Sequence, residues 1–305
     1  MSAKVSVLAL CYNHEAYITA ALDSVRAQTL GDYELVITDD ASTDRSADLI
    51  QAWLDEHGVR ATFIRQPVNR GICATLNDAL ARCTGEYVAA IPGDDLWLPR
   101  KLEVQTQELD AAGPRVGVVY SDAHLMGAAG EPLPGSFLNL YAPGEEPPTG
   151  DVFVRLLHGN FIPGMASMFR RDVLARVGLF DPTLVFEDWE FWVRVARRYE
   201  FCFSPYVSAR YRILPTSLVR TMGDRADDAY WKLYLRHWRH SGAAREYVGR
   251  EVARLHDVLA ERHPHRVGRL SRERLLGAPL PLLPREVAKV ARIRLGRAAR
   301  SRPSA

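Results

Sequence analysis

Three pairs of adjacent acids carry the chemistry this chain could do. Asp94 and Asp95 close the run Ala90-Ile91-Pro92-Gly93-Asp94-Asp95, just after an apolar strand. A covered strand has no use for two carboxylates as packing. At a strand end, however, their oxygens can reach a divalent cation, and a cation can hold a diphosphate. The competing reading makes one of them the N-cap of a helix starting near Leu98. Asp39 and Asp40 end a second apolar run, Tyr33-Glu-Leu-Val-Ile-Thr38. Glu187 and Asp188 open an aromatic segment that runs through Trp189, Phe191 and Trp192. At the start of a helix two acids can simply complement its dipole. Alternatively one is a general base, with Phe186 and Trp189 shielding it from water and moving its pKa toward the working pH. A metal-type pair on the same chain favours the second reading.

These acids need a scaffold that brings strand ends together. Continuous apolar β-formers predict strands over residues 5–10, 33–38, 61–65 and 87–91, with helices over 17–28, 46–56 and 72–82 between them. Strand and helix alternating at this rhythm imply βαβ units and a mostly parallel sheet. Right-handed crossovers place Asp39, Asp40, Asp94 and Asp95 on one rim, where open α/β sheets bind ligands. The first turn holds no G-x-G-x-x-G, and the chain contains no P-loop pattern. Tyr12 and Asn13 stand there instead. A tyrosine ring can stack on a base and a carboxylate can accept an imide N–H, which suits a uracil- or thymine-type base. Further on, a helix is expected over 101–111 and strands over 116–120, 201–203 and 208–212. Residues 121–150, rich in Gly and Pro, read as one long functional loop. Helices are expected over 151–158, 171–177 (closed by Gly178), 224–239 and 246–259.

Composition is that of an ordinary globular protein, with a net charge of +2 that excludes a polyanion binder as a whole. Four scattered cysteines show no metal-ligand spacing, and Cys11, Cys73 and Cys83, in apolar contexts, read as reduced core thiols. The start runs into a strand without a signal-peptide pattern, and no apolar run approaches the length of a spanning helix. The expectation is a cytoplasmic protein, with peripheral contact on the inner face of the membrane resting on its tail. From Arg262 onward basic residues alternate with a Leu/Pro-rich stretch. That tail reads equally as an anchor for an anionic leaflet or as a solvated segment. No binding module accompanies the charge, so nucleic acid is not expected as a partner.

With these residues in view, the chain resembles the family 2 glycosyltransferases of GT-A fold, over roughly residues 4–220. The resemblance rests on motifs in order: Tyr12-Asn13; Asp39-Asp40-Ala41-Ser42-Thr43-Asp44; Asn69-Arg70-Gly71; Gly85-Glu86-Tyr87 through Asp94-Asp95; Arg170-Arg171 through Asp181; and Glu187-Asp188-Trp189. It implies an inverting transferase that moves a sugar from a nucleotide-diphosphate donor, UDP-linked in the expectation here. The acceptor would be a hydroxyl of a glycan or a lipid-linked molecule in cell-envelope polysaccharide synthesis. The resemblance further implies that Tyr12, Asp40 and Arg70 contact the base and Asp94 the nucleotide sugar. Asp95 would bind Mg²⁺ or Mn²⁺, and Asp188 would be the catalytic base. Glu187, Trp189 and Met165 would lie on the acceptor side. The expected architecture is a Rossmann-like, mostly parallel sheet flanked by helices, with a C-terminal helical extension. Its parts are a transferase domain over 1–220 (nucleotide-sugar half 1–120, acceptor and base half 121–220), a helical extension over 221–262 and a basic tail over 263–305.

The chain departs from the family in one place that matters. Many relatives carry a histidine after the Tyr-Arg of the late strand, and here Leu214 takes that place. A non-catalytic binding protein on a decayed fold therefore stays open as an alternative. A nucleotidyltransferase would need a triphosphate loop after the first strand, and Cys11 to Glu15 is not one.

Overall fold

The computed structural model describes residues 3–215 and 222–271. The chain divides into two compact units, Met1–Thr221 and Met222–Ala305. Of the expected basic tail, residues 272–305 lie outside the described residues.

The first unit opens as the apolar runs require. β1 (Val5–Cys11) is buried along its whole length, α1 (Ile18–Arg26) follows, and β2 (Tyr33–Asp39) pairs parallel with β1. α2 (Ser46–His57) ends on Gly58 in the left-handed region, β3 (Ala61–Arg65) joins β2, and α3 (Ile72–Leu80) leads to β4 (Tyr87–Pro92). β4 lies parallel to β1 on its other side. Register decides what this does for the site. Cys11 faces Asp39 across β1 and β2, and Leu10 faces Pro92 across β1 and β4. Three strands therefore end on one rim, which brings the loops after them together. Ile18, Ala21, Leu22 and Val25 of α1 and Ile50 and Trp53 of α2 are buried with Val7, Ile37 and Ile91 in one apolar core.

Beyond β4 the sheet changes character. A short β5 (Leu96–Trp97) precedes α4 (Lys101–Ala112), so neither Asp94 nor Asp95 caps a helix at Leu98. β6 (Val116–Met126) is eleven residues long and forms a hairpin with β7 (Pro132–Ser136), followed by α5 (Phe137–Tyr141). The expected loop over 121–150 is thus largely structured. Its alternation of buried and exposed positions is broken by a register shift, which hid the strand's length. α6 (Phe153–Leu157), a 3-10 turn (Gly164–Ala166), β8 (Ser167–Arg170), α7 (Val173–Val177) and α8 (Asp188–Ala196) come next. β9 (Glu200–Arg212) is one strand of thirteen residues rather than two short ones. It pairs parallel with β6, and a bulge between Ser121 and Ala123 lets the pairing continue past the polar middle. The order across the sheet is β3-β2-β1-β4-β8-β6-β9-β5, with β7 on β6.

In the second unit α9 (Asp224–His237) and α10 (Arg245–Arg262) bury Trp231, Leu233, Val248, Val252, Leu255 and Leu259. Arg262 and Arg266 reach back to Asp227 and Asp228. Among the described residues no helix is long and apolar enough to cross a membrane.

Candidate active site

The loops after β1 and β2 are stitched into one surface by short polar side chains. Asn13 takes a left-handed φ of 56°, its N–H donates to Ser42 Oγ at 2.9 Å, and its Oδ1 accepts the Thr43 N–H at 2.8 Å. Glu15 N–H donates to Asp44 Oδ2 at 3.0 Å, and Glu15 Oε2 accepts the Arg45 N–H at 3.1 Å. Ala41 also stands at positive φ, 60°, which is unfavourable for a residue with a Cβ. Strain of that kind persists only where the surroundings fix it, and it gathers at ligand-binding loops. Tyr12 projects from this surface, 43% exposed.

Asp40 is buried, and both of its oxygens are used locally. Oδ1 accepts the Arg70 N–H at 2.8 Å and Oδ2 the Gly71 N–H at 2.9 Å. It therefore seats the turn before α3. Asp39, also buried, accepts from Ser42. The Arg70 guanidinium pairs with Asp78 of α3 and is half exposed. Tyr12, Asp40 and Arg70 do come to one rim, but Asp40 holds backbone and Arg70 is tied to a neighbour.

The two acids after β4 differ sharply in surroundings. Asp95 is 2% exposed, and its Oδ1 accepts the Arg212 N–H at 2.8 Å. Burial, and then the charge of Asp94, push its carboxyl well up. Asp94 stays half-buried, and its side chain makes no hydrogen bond among the described residues. The nearest basic group is His14, with Nε2 at 3.9 Å from Asp94 Oδ2. Gly93 permits that approach, because a Cβ there would lie 2.9 Å from His14 Nδ1 and 3.1 Å from Leu10 O. Arg212, buried and without a carboxylate partner among the described residues, donates Nε to Asp94 O at 2.7 Å and Nη1 to Gly127 O and Ala128 O. Its guanidinium lies 4.5 Å from the Tyr17 ring centroid. The sequence reading gave the cation to Asp95 and the sugar nucleotide to Asp94. Asp95 is turned inward onto β9, and Asp94 is the more accessible of the two, its side chain 16% exposed. Leu214, in the place of the family's histidine, is buried.

One open carboxylate beside an imidazole is a small donor set. Among the described residues no cluster of three or more His, Cys, Asp and Glu could hold a metal by itself. The set fits a divalent cation that takes most of its ligands from substrate phosphates and water, as Mg²⁺ commonly does.

Asp188 stands at the first turn of α8, whose Phe191, Trp192 and Val195 are buried. Its Oδ1 accepts the Trp189 N–H at 2.6 Å and its Oδ2 accepts Asn160 Nδ2 at 2.9 Å. Loss of solvation pushes the carboxyl up to about 6 against the pull of these two donors. Glu187 rises to about 8, from burial first and the Asp188 charge second. Burial thus raises the proton affinity of both acids, and of Glu187 further because the Asp188 charge adds to it. The Trp189 indole donates to Leu156 O at 2.7 Å, which fixes its ring. Gly164 leaves space in front of the carboxylate, since a Cβ there would lie 3.6 Å from Asp188 Oδ2. Met165 is buried, and its carbonyl accepts the Trp97 Nε1–H at 2.7 Å. Glu187 and Trp189 flank Asp188 in the chain, and Met165 follows Gly164, where an added Cβ would meet the Asp188 carboxylate.

Sequence reasoning passed over Asn160, His14 and Arg212. Asn160 offered a signal, a polar residue just ahead of the apolar run Phe161-Ile162. His14 and Arg212 matter through contacts with residues distant in sequence, which no local pattern shows.

An α/β sheet thus gathers the loops after β1, β2 and β4 on one rim, and a second acid whose proton affinity burial raises opens α8. Comparison with known proteins then gives the family. The model for glycosyl transferase family 2 matches residues 6–178, and the chain belongs to that family. An uncharacterized glycosyltransferase of Nostoc sp. is 33% identical over 192 residues, 62% of this chain and 56% of its own length. A Bacillus subtilis protein named for teichuronic acid biosynthesis, TuaG, is 36% identical over 105 residues, 34% of this chain and 40% of its own. The chain thus spans about half the length of these curated relatives. Among solved structures, TarS of S. aureus in complex with UDP aligns at TM-score 0.57 and 19% identity, over 92% of this chain and 77% of that one. A mannosyltransferase from Pyrobaculum calidifontis in complex with GDP-Man and Mn²⁺ aligns at TM-score 0.62 and 21% identity, over 98% and 81%. At those identities the likeness concerns the fold, which is GT-A.

Proposed function

We propose that this protein is an inverting glycosyltransferase that moves a sugar from a UDP-linked donor to a hydroxyl of a glycan or lipid-linked acceptor in cell-envelope polysaccharide synthesis. The carrying observation is Asp188, whose affinity for protons is raised by burial and whose two oxygens are held by Asn160 and the Trp189 N–H next to Gly164. A general base works best when its pKa lies near the operating pH. Asp188 takes the proton of the acceptor hydroxyl as that oxygen attacks the anomeric carbon. The diphosphate leaves on the opposite side, so a single displacement inverts the centre and no covalent nucleophile is required.

On the donor side, Tyr12 stacks on the base while Asp40 and Arg70 shape the turn beside it. Asp94, with His14 next to it, faces the diphosphate. A divalent cation held by Asp94 would stabilise the charge that develops on the leaving group. Asp95 acts from behind by fixing β9 through the Arg212 N–H. The relative named for teichuronic acid biosynthesis supports the acceptor class, and the neighbours' UDP and GDP-Man support the donor class. We further propose that the transferase domain covers 1–220, that 221–262 extends it, and that the basic tail contacts anionic membrane.

Calorimetry of UDP, TDP, GDP and ADP, each with Mn²⁺ and with a chelator, tests the reading. Metal-dependent binding of UDP, lost in Asp94→Ala, is expected. No binding of any of the four nucleotides would sink it in favour of a non-catalytic role.

A further inference from the structure

Three successive carbonyls in the turn beside Asp188 are each met by a buried side chain from the segment that follows Asp94 and Asp95. Trp97 Nε1 donates to Met165 O at 2.7 Å, Gln105 Nε2 to Ala166 O at 2.8 Å and Lys101 Nζ to Ser167 O at 3.0 Å. Trp97 is 3% exposed, and Lys101 and Gln105 are fully buried. The donors also brace one another. Lys101 Nζ gives a second bond to Gln105 Oε1 at 2.8 Å and lies 4.4 Å from the centroid of the Trp97 ring. No carboxylate pairs with Lys101 among the described residues, and burial pushes its amine well below the usual lysine range. A lysine in such a place is costly, and an apolar residue of similar length would pack there without that cost. Its presence therefore calls for a role beyond packing.

The segment that carries the three donors is itself fixed. Gln28 donates Nε2 to Leu98 O at 2.9 Å and accepts the Leu102 N–H at 3.0 Å on Oε1. The far end of the turn is fixed too. Asn160 donates to Asp188, and the Ser167 hydroxyl donates to Gly164 O at 2.8 Å, next to the Asp188 carboxylate. A continuous path of short contacts thus runs from the open carboxylate Asp94, along β5 and the first turns of α4, across three carbonyls, to Asp188.

We propose that Trp97, Lys101 and Gln105 are positioning residues that clamp the acceptor-side turn, and through it Asp188, at a set place relative to Asp94. This rests on the transferase reading, which puts the two carboxylates on opposite sides of one displacement. In-line attack tolerates little error, and a misplacement of about 1 Å can cost about a hundredfold in rate. The clamp explains why one short stretch of chain supplies both the donor-side acid and the supports of the acceptor side.

The test compares wild type with Trp97→Phe, which removes one N–H and keeps an aromatic ring, and with Gln105→Leu. UDP binding with Mn²⁺ is measured by calorimetry. Turnover is followed as UDP release from UDP-glucose and UDP-GlcNAc as probes. Hydrogen exchange is read by mass spectrometry on peptides spanning 160–169. The expected result in both variants is a UDP affinity and donor KM within about twofold of wild type, with kcat about tenfold lower or more. Exchange should be faster in 160–169 while the peptides of β1 and β2 are unchanged. Wild-type turnover in both variants, or unchanged exchange in that segment, overturns the clamp. General unfolding would instead raise exchange throughout and weaken UDP binding, which also counts against a positioning role. A wild type that neither binds UDP nor releases it from any probe defeats the transferase reading. The exchange comparison, which needs no donor, then still decides whether the three side chains hold the turn.

Discussion

Asn160→Ala should move the acid limb of the rate profile upward, because Asn160 favours the ionised form of Asp188. The bond is 2.9 Å long, from an amide that cannot follow the proton. A hydrogen bond to a charged group contributes about 1.5–3 kcal/mol, and at this half-buried site water replaces part of it, so the lower end applies. One pKa unit corresponds to about 1.4 kcal/mol, so the Asp188 value rises by about one unit, from about 6 to about 7. The sign follows from which form works. The base must be deprotonated, so a higher pKa removes active enzyme at low pH and leaves it intact at high pH. At pH 6 the ionised fraction falls from about one half to about one tenth, and at pH 7 from about nine tenths to about one half. The loss should thus be about fivefold at pH 6, about twofold at pH 7 and negligible above pH 8. The assay is UDP release at saturating donor and acceptor from pH 5 to pH 9, with melting temperature as a control, since Asn160 Oδ1 also accepts the Ile162 N–H. A loss of equal size at every pH, with the limb unmoved, would refute the assignment of Asp188 as the titrating base.

Asp188→Asn should lower transfer by about 10²–10⁴-fold and leave UDP affinity within about twofold, as calorimetry beside the rate assay will read. Asp94→Ala should abolish the Mn²⁺-dependent part of UDP binding while melting near the wild-type temperature. Asp95→Ala should instead unfold earlier, by about 1–3 kcal/mol in a urea titration, because the buried Arg212 N–H loses its acceptor. Gly85→Ala should cost about 1–3 kcal/mol or more by the same titration, since a Cβ there would lie 2.6 Å from Ser6 N and 2.8 Å from Val5 C, backbone atoms that cannot step aside.

Much of this protein is written in its local pattern. Apolar runs bounded by turn residues determine β1 to β4 and α1 to α3 within a residue or two, because a strand covered on both faces and a helix with one buried face each leave a periodic trace. The acids at strand ends, Asp39, Asp40, Asp94 and Asp95, and the Glu187-Asp188 pair at the start of α8 were legible for a related reason. A charge at the edge of an apolar run has no packing role and stands out. The second half of the sheet was harder. β9 hides its length because a bulge shifts its alternation, and the β6–β7 hairpin was masked by Gly and Pro that serve its turns. What only the tertiary structure decided is how the surroundings of the two acids after β4 differ. Asp94 and Asp95 are equivalent in sequence, and they part because β9 supplies the Arg212 N–H to one and leaves the other on the rim. Asn160, His14 and the Trp97, Lys101 and Gln105 clamp act on partners tens of residues away. Such contacts arise from the order of strands in the sheet rather than from any neighbour along the chain.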